Sequence, residues 1–140
     1  MMPKLDPKMI AERSEGTLPA LLGIQILDAG DGIAKAQMKI TKSHFAPNGF
    51  LHAASVVALA DTCCGLGTFA DLPEGAEGFT TAELKSNHMG TAKTGTLICH
   101  AHAKHQGRTT QVWDAEVFSA MRMNRPIALF RCTQIILWPR

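Results

Sequence analysis

The sequence predicts an α+β fold in which a curved antiparallel sheet wraps around one long buried helix. Two observations lead there. Residues 52 to about 70 are nearly apolar all round, interrupted chiefly by Ser55, Asp61 and Thr62, so a helix there has no polar face to offer solvent and belongs at the centre. On either side of it, two segments before and four after read as strands bounded by glycine, proline and asparagine.

The elements follow in order. Residues 1–14 carry Pro3, Pro7 and mixed charges, a leader with one short helix from Pro7 to Ser14. The leader as a whole is taken as residues 1–17 of a single domain spanning 1–140. From Gly23, Ile24 and Ile26 lead to the turn Asp28-Ala29-Gly30-Asp31-Gly32. Then Ala34, Ala36, Met38 and Ile40 alternate with Lys35, Gln37 and Lys39, which predicts a hairpin. Thr41 to Leu51 is a loop marked by Pro47 and Asn48-Gly49, and it delivers the chain into the helix. After an exit loop from Asp71 to Gly78, strands are expected at Phe79–Met89, Thr96–His105, Thr109–Phe118 and Ile127–Trp138. Their short connections suit antiparallel neighbours.

Asp61 is the residue that demands a chemical reason. Ionised carboxylates are rarely buried unless paired or working. His52 lies nine residues earlier, about 900° of rotation and roughly 13.5 Å of rise along a helix, so the two face opposite ways. One chain cannot bring both to a single carbonyl. A site using both is therefore completed by a second copy, at a homodimer interface.

Composition narrows the function. A 140-residue chain that is 46% hydrophobic and 19% charged is an ordinary globular protein with enough length for one core. A net charge of +2 and a pI near 8.4, without basic runs interleaved with aromatics, give no support for nucleic acid. No charge-free stretch of membrane-spanning length and no signal-peptide core is present, so a cytoplasmic protein without membrane contact is expected. Cys63, Cys64, Cys99 and Cys132 form no C-x-x-C pair and read as buried thiols.

Gly49-Phe50-Leu51-His52-Ala53-Ala54 with Leu59-Ala60-Asp61-Thr62, the strand Thr80-Thr81-Ala82-Glu83-Leu84-Lys85-Ser86-Asn87, and Gly107-Arg108-Thr109-Thr110-Gln111-Val112-Trp113 together resemble one family. It is the hotdog acyl-CoA thioesterases of the phenylacetate-degradation and 4-hydroxybenzoyl-CoA thioesterase type. The resemblance runs from about Gly23 to Leu137. It implies a hotdog fold, hydrolysis of an acyl-CoA to coenzyme A and a free acid, and homodimers that pair into tetramers. It also implies a site split between subunits. Asp61 would attack the thioester or activate water, His52 and Ala53 of the other subunit would polarise the carbonyl, and Thr81 would hold the water. No cofactor is expected, since coenzyme A is part of the substrate. Two departures stand out. The family writes His-Gly-Gly where this chain has His52-Ala53-Ala54. A carbonyl-binding Asn, in many members, sits where this chain has Ala46, with Asn48 two positions later as the candidate to replace it.

Other residues have plainer readings beside the chemical ones. His52 can hydrogen-bond its own loop, and Thr81 can be an ordinary strand threonine. Glu83 should share the face of Thr81 by alternation, a possible second carboxylate. His100 and His102 share a face from which alternation excludes His105, so a solvated surface is favoured over a metal site. Lys93, Arg108 and Thr109 are candidates for the coenzyme A phosphates. A hotdog hydratase would require an Asp followed by His five residues later, which is missing here. A non-catalytic acyl-CoA binding or sensing protein is the alternative to an enzyme.

Overall fold

The computed structural model describes residues 6–140, so the first five residues of the expected leader lie outside the described residues. Asp6 caps the first helix, α1 (Pro7–Ser14), by accepting from the Lys8 amide at 3.0 Å, with Pro7 in the first turn. A second helix, α2 (Leu18–Leu22), was not expected; it has Pro19 in its first turn and closes on Gly23 at φ 76°. The hairpin forms as β1 (Ile24–Gly30) and β2 (Ile33–Lys39). After a 3-10 turn at Lys42–His44 come α3 (Ala53–Ala70), β3 (Gly78–His88), β4 (Thr96–Gln106), β5 (Thr110–Ser119) and β6 (Ala128–Leu137).

All six strands form one antiparallel sheet in the order β1-β2-β4-β5-β6-β3. Consecutive strands are neighbours except around β3, which pairs with β6 at the far edge and so adjoins neither β2 nor β4. Residues 89–95 make this possible, because seven residues span a gap that a two-residue turn would close.

The concave face packs on α3. Ala34, Ala36 and Met38 of β2, Leu97 and Cys99 of β4, Trp113 and Val117 of β5 and Phe130 and Cys132 of β6 meet Leu59, Ala60, Cys63 and Cys64. Many of these are small, so sheet and helix lie close. By length and composition α3 is apolar enough to cross a membrane, with mean hydropathy 1.5 over 18 residues, but here the sheet encloses it. One stripe escapes. Val57, Ala58, Asp61, Thr62, Leu66 and Phe69, on one face by helical spacing, are half-buried and look out between the sheet edges β1 and β3.

Three bulges alter which side chains face the core. In β1 the register jumps from Ile26 opposite Ala36 to Asp28 opposite Lys35, so Ala29, opposite Ala34, takes the inner face. In β3 the register jumps from Thr81 opposite Gln134 to Glu83 opposite Thr133. Glu83 therefore turns to the outer face and Leu84, opposite Cys132, takes the inner one, against strict alternation. In β4 the jump between Ala103 and His105 has the reverse result, returning His105 to the outer face with His100 and His102.

Candidate active site

Asp61 is positioned by the unbroken helix around it, near the middle of the stripe that the sheet leaves open. Its Oδ1 is buried and meets no hydrogen-bond donor. Burial raises its pKa above the ordinary 3.8, because an apolar setting disfavours the charged form. The carboxylate opens into a groove of about 280 Å³ lined also by Pro19, Gly65, Phe69, Phe79 and Thr81. The structure thus brings Asp61 and Thr81 to one surface and keeps Glu83 away from it.

Thr81 is held from behind. Its hydroxyl donates to Gln134 Oε1 at 2.7 Å, so the proton is committed and only lone pairs remain for other partners. Gln134 is fully buried and its Nε2 has no partner. Beside it in the ladder, Gln111 donates from Nε2 to the Asp71 carbonyl at 3.3 Å and accepts from Trp113 Nε1 at 2.8 Å. This polar row across β5, β6 and β3 escaped the sequence reading. The inward positions of Gln111 and Gln134, among apolar neighbours, were its only trace.

The other half of the expected constellation lies at the start of α3. His52 is the N-cap: its Nδ1 accepts from the Ala54 amide at 3.0 Å, the loop-bonding role weighed from sequence. Accepting at Nδ1 leaves the ring hydrogen on Nε2, and the exposed ring can donate outward as well, so both roles are compatible. Ala53 begins the first turn, where a helix leaves its amides unpaired. Asn48 spends its side-chain oxygen on the Phe50 amide at 3.1 Å, within its own turn.

His44 anchors this end. It is 1% exposed. Its Nδ1 accepts from the Thr41 amide at 3.0 Å and its Nε2 lies 2.8 Å from the Leu22 carbonyl at the end of α2. Its own carbonyl accepts from the His52 amide at 2.9 Å and from Ser55 Oγ at 3.0 Å. Only the fold brings these partners together.

The three candidate phosphate contacts do not converge within one chain. Lys93 sits over the Phe50 ring at 5.5 Å, near the start of α3. Arg108 stacks on Trp138 at 4.4 Å, with Thr109 beside it, at the end where α3 finishes and Asp71 accepts from Gln106 and the Gly32 amide. On the outer face, His100 lies against Phe118 and its pKa is lowered, first by burial and then by Lys35. Among the described residues no three His, Cys, Asp or Glu side chains are grouped to hold a metal. All four cysteines are buried and free. The Cys64 thiol is pushed well up by hydrogen bonding with Cys132 and by burial, and Cys99 likewise by Cys63, so neither is a ready nucleophile.

A curved sheet around one helix, with a lone carboxylate on the open stripe, is the hotdog architecture. Residues 48–124 match the model of the thioesterase superfamily, and the chain belongs to that family of thioester hydrolases. ComA2 of Bacillus subtilis is 30% identical over 86% of this chain and 94% of its own length. The 1,4-dihydroxy-2-naphthoyl-CoA hydrolase of Listeria monocytogenes is 28% identical over 83% of this chain and 92% of its own. Among solved structures, a mutant of the thioesterase SAV0944 from Staphylococcus aureus is 28% identical, with a TM-score of 0.79 over 85% of this chain and 97% of its own. Two mutants of that protein, one replacing a glutamine and one a glutamate with alanine, are altered at positions fifteen residues apart.

Proposed function

We propose that this chain hydrolyses acyl-CoA thioesters at a site shared by two copies, with Asp61 as the reacting carboxylate. The observation that carries the proposal is the lone Asp61 oxygen, buried without a donor in the groove it shares with Thr81. Ala46 and Asp61 are fifteen residues apart, the separation of the two positions altered in SAV0944, which supports Asp61 as the counterpart of that glutamate. It also makes Ala46 the place where an amide side chain is missing.

The arrangement suits water activation. Thr81 has committed its proton to Gln134, so it accepts one hydrogen of a water while Asp61 accepts the other, leaving the water's lone pair for the thioester carbon. As the C–O bond forms, that proton moves to Asp61. The developing oxyanion takes hydrogen bonds from the Ala53 amide and His52 Nε2 of a second copy, at a helix N-terminus that favours negative charge. Collapse breaks the C–S bond, and Asp61 returns the proton to the departing thiolate. The free acid and the coenzyme A thiol are the products.

Two features support the second copy. Among the described residues the apolar stripe bearing Asp61 is only half-buried, bordered at Thr62 and Leu66 by Pro19 of α2, and β3 is an edge strand of eleven residues, unpaired on one side. Paired across a two-fold axis, two such edges would join the sheets, with each stripe covered by the other.

The test is release of free thiol from a panel of acyl-CoA thioesters by the purified protein and by Asp61→Asn. A loss of about a hundredfold or more is expected. Full turnover by a folded Asp61→Asn variant would overturn the role of Asp61, and binding of acyl-CoA without release would point to a sensing protein. Co-refolding Asp61→Asn with His52→Ala checks the shared site. Random pairing restores about a quarter of the wild-type sites, because each mixed dimer regains one; two inactive parents with no rescue would place the site in one subunit.

A further inference from the structure

The groove at Asp61 has a neighbour. A second cavity, of about 530 Å³, lies beneath α1 and α2 against β1 and α3. It shares Pro19, Thr62 and Leu66 with the Asp61 groove, so those three residues form a common wall between the reacting carboxylate and the space beyond. Ile10, Ala11, Ala20, Ile24 and Ile26 supply an aliphatic lining, and Lys8, Ser14 and Gln25 supply its polar part. Aromatic rings, by contrast, line only the Asp61 side, through Phe69 and Phe79.

We propose that this cavity is the acyl chamber and that the substrate is a fatty acyl thioester with an aliphatic chain. With the carbonyl at Asp61, the chain passes Pro19 and Leu66 and lies beneath α1, while the coenzyme A portion leaves on the other side. The inference rests on Asp61 being the reacting carboxylate, and it adds the substrate class. It also gives the N-terminal helices a purpose. Both lie outside the segment matched by the superfamily model, and α2 contributes Pro19 to the common wall. The space is a suitable size: small-molecule sites occupy roughly 300–1,000 Å³.

Binding separates this inference from catalysis. Alkyl thioethers of coenzyme A, which cannot be hydrolysed, are titrated calorimetrically in a series from butyl to decyl. Each added methylene buried in an apolar wall strengthens binding roughly fourfold until the chamber is full. Two variants of the lining, Ala11→Phe from α1 and Ala20→Phe from α2, should weaken the decyl thioether by about tenfold or more relative to the butyl thioether. A thermal melt like that of the wild type shows that each variant is folded. Equal affinity for butyl and decyl in the wild type, or variants that bind decyl as the wild type does, would overturn the chamber. Chain-length-dependent binding by a wild type that hydrolyses no acyl-CoA would uphold the chamber and remove the thioesterase instead.

Discussion

Two glycines in α3, at Gly65 and Gly67, should respond in opposite ways to the same substitution. Alanine in place of glycine in a helix interior gains about 1 kcal/mol from helix propensity. At Gly67 a new Cβ would stand 2.6 Å from two ring carbons of Trp113 and 3.2 Å from the Ala34 Cβ. Trp113 has nowhere to go: it is fully buried and held through Nε1 by Gln111 at 2.8 Å. An overlap that deep belongs at the upper end of overpacking costs, about 3 kcal/mol, leaving a net loss near 2. At Gly65 the tight contact is 3.1 Å to Phe79 Cζ, the end of a half-buried ring that can yield a few tenths of an ångström. Gly65→Ala should therefore keep most of its propensity gain. For a chain of 140 residues the unfolding entropy is about 0.3 kcal/mol/K. The expected shifts in Tm are then a fall of about 7 °C for Gly67→Ala and a rise of up to about 3 °C for Gly65→Ala. Thermal melts of both variants at one protein concentration are the assay. A Gly67→Ala protein melting at or above wild type would refute the claim that the sheet touches the helix this closely.

Three further outcomes follow from the site. Gln134→Leu removes the acceptor for Thr81 along with an unpaired buried amide, so stability should stay within about 1 kcal/mol while hydrolysis falls by about tenfold to a hundredfold as the water loses its alignment. Melts and turnover measured together would show otherwise if stability dropped and the rate held. Burial raises the Asp61 pKa, so the folded state disfavours the charged form: any stability from the neutral acid is present below 3.8 and lost as pH rises through the folded value. Asp61→Asn should accordingly melt higher than wild type at pH 7, with the advantage vanishing toward pH 3.5; an advantage that persists in acid would have another origin. His44→Ala breaks both hydrogen bonds of a buried ring and leaves a void, for a loss of about 3 kcal/mol that urea unfolding would register as a lower midpoint.

The helix and the strand-like segments were legible because burial writes itself into periodicity, and Asp61 stood out because a carboxylate in an apolar run conflicts with that pattern. Other features leave no local mark. Connection length alone cannot tell that β3 crosses to β6, since residues 89–95 are compatible with either neighbour. The five-residue helix α2 is too short for a period to show. His44 has its most distant partner at Leu22, and no spacing rule links them. Lys93 and Arg108 looked equivalent as cations beside loops, yet α3 separates them toward its opposite ends.

The bulge in β3 bears most directly on the chemistry. Strict alternation would carry Glu83 to the inner face next after Thr81, on the strand that borders the Asp61 groove. Two carboxylates close together cannot both ionise readily, and one would hold a proton at neutral pH. Such a pair suits reactions that need an acid and a base together, as glycoside hydrolysis does. A thioester has a different need. Its leaving group is a thiolate, whose parent thiol ionises near pH 8.5, so it departs without a strong acid beside it. The reaction requires one ionised base, an aligned water and donors for the oxyanion. By turning Glu83 outward opposite Thr133 and Leu84 inward opposite Cys132, one extra residue at Ala82 leaves Asp61, among the described residues, as the only carboxylate lining its groove. On the proposed reading of Asp61 as the base, a single-base site is built by the register of an edge strand as much as by the helix that bears it.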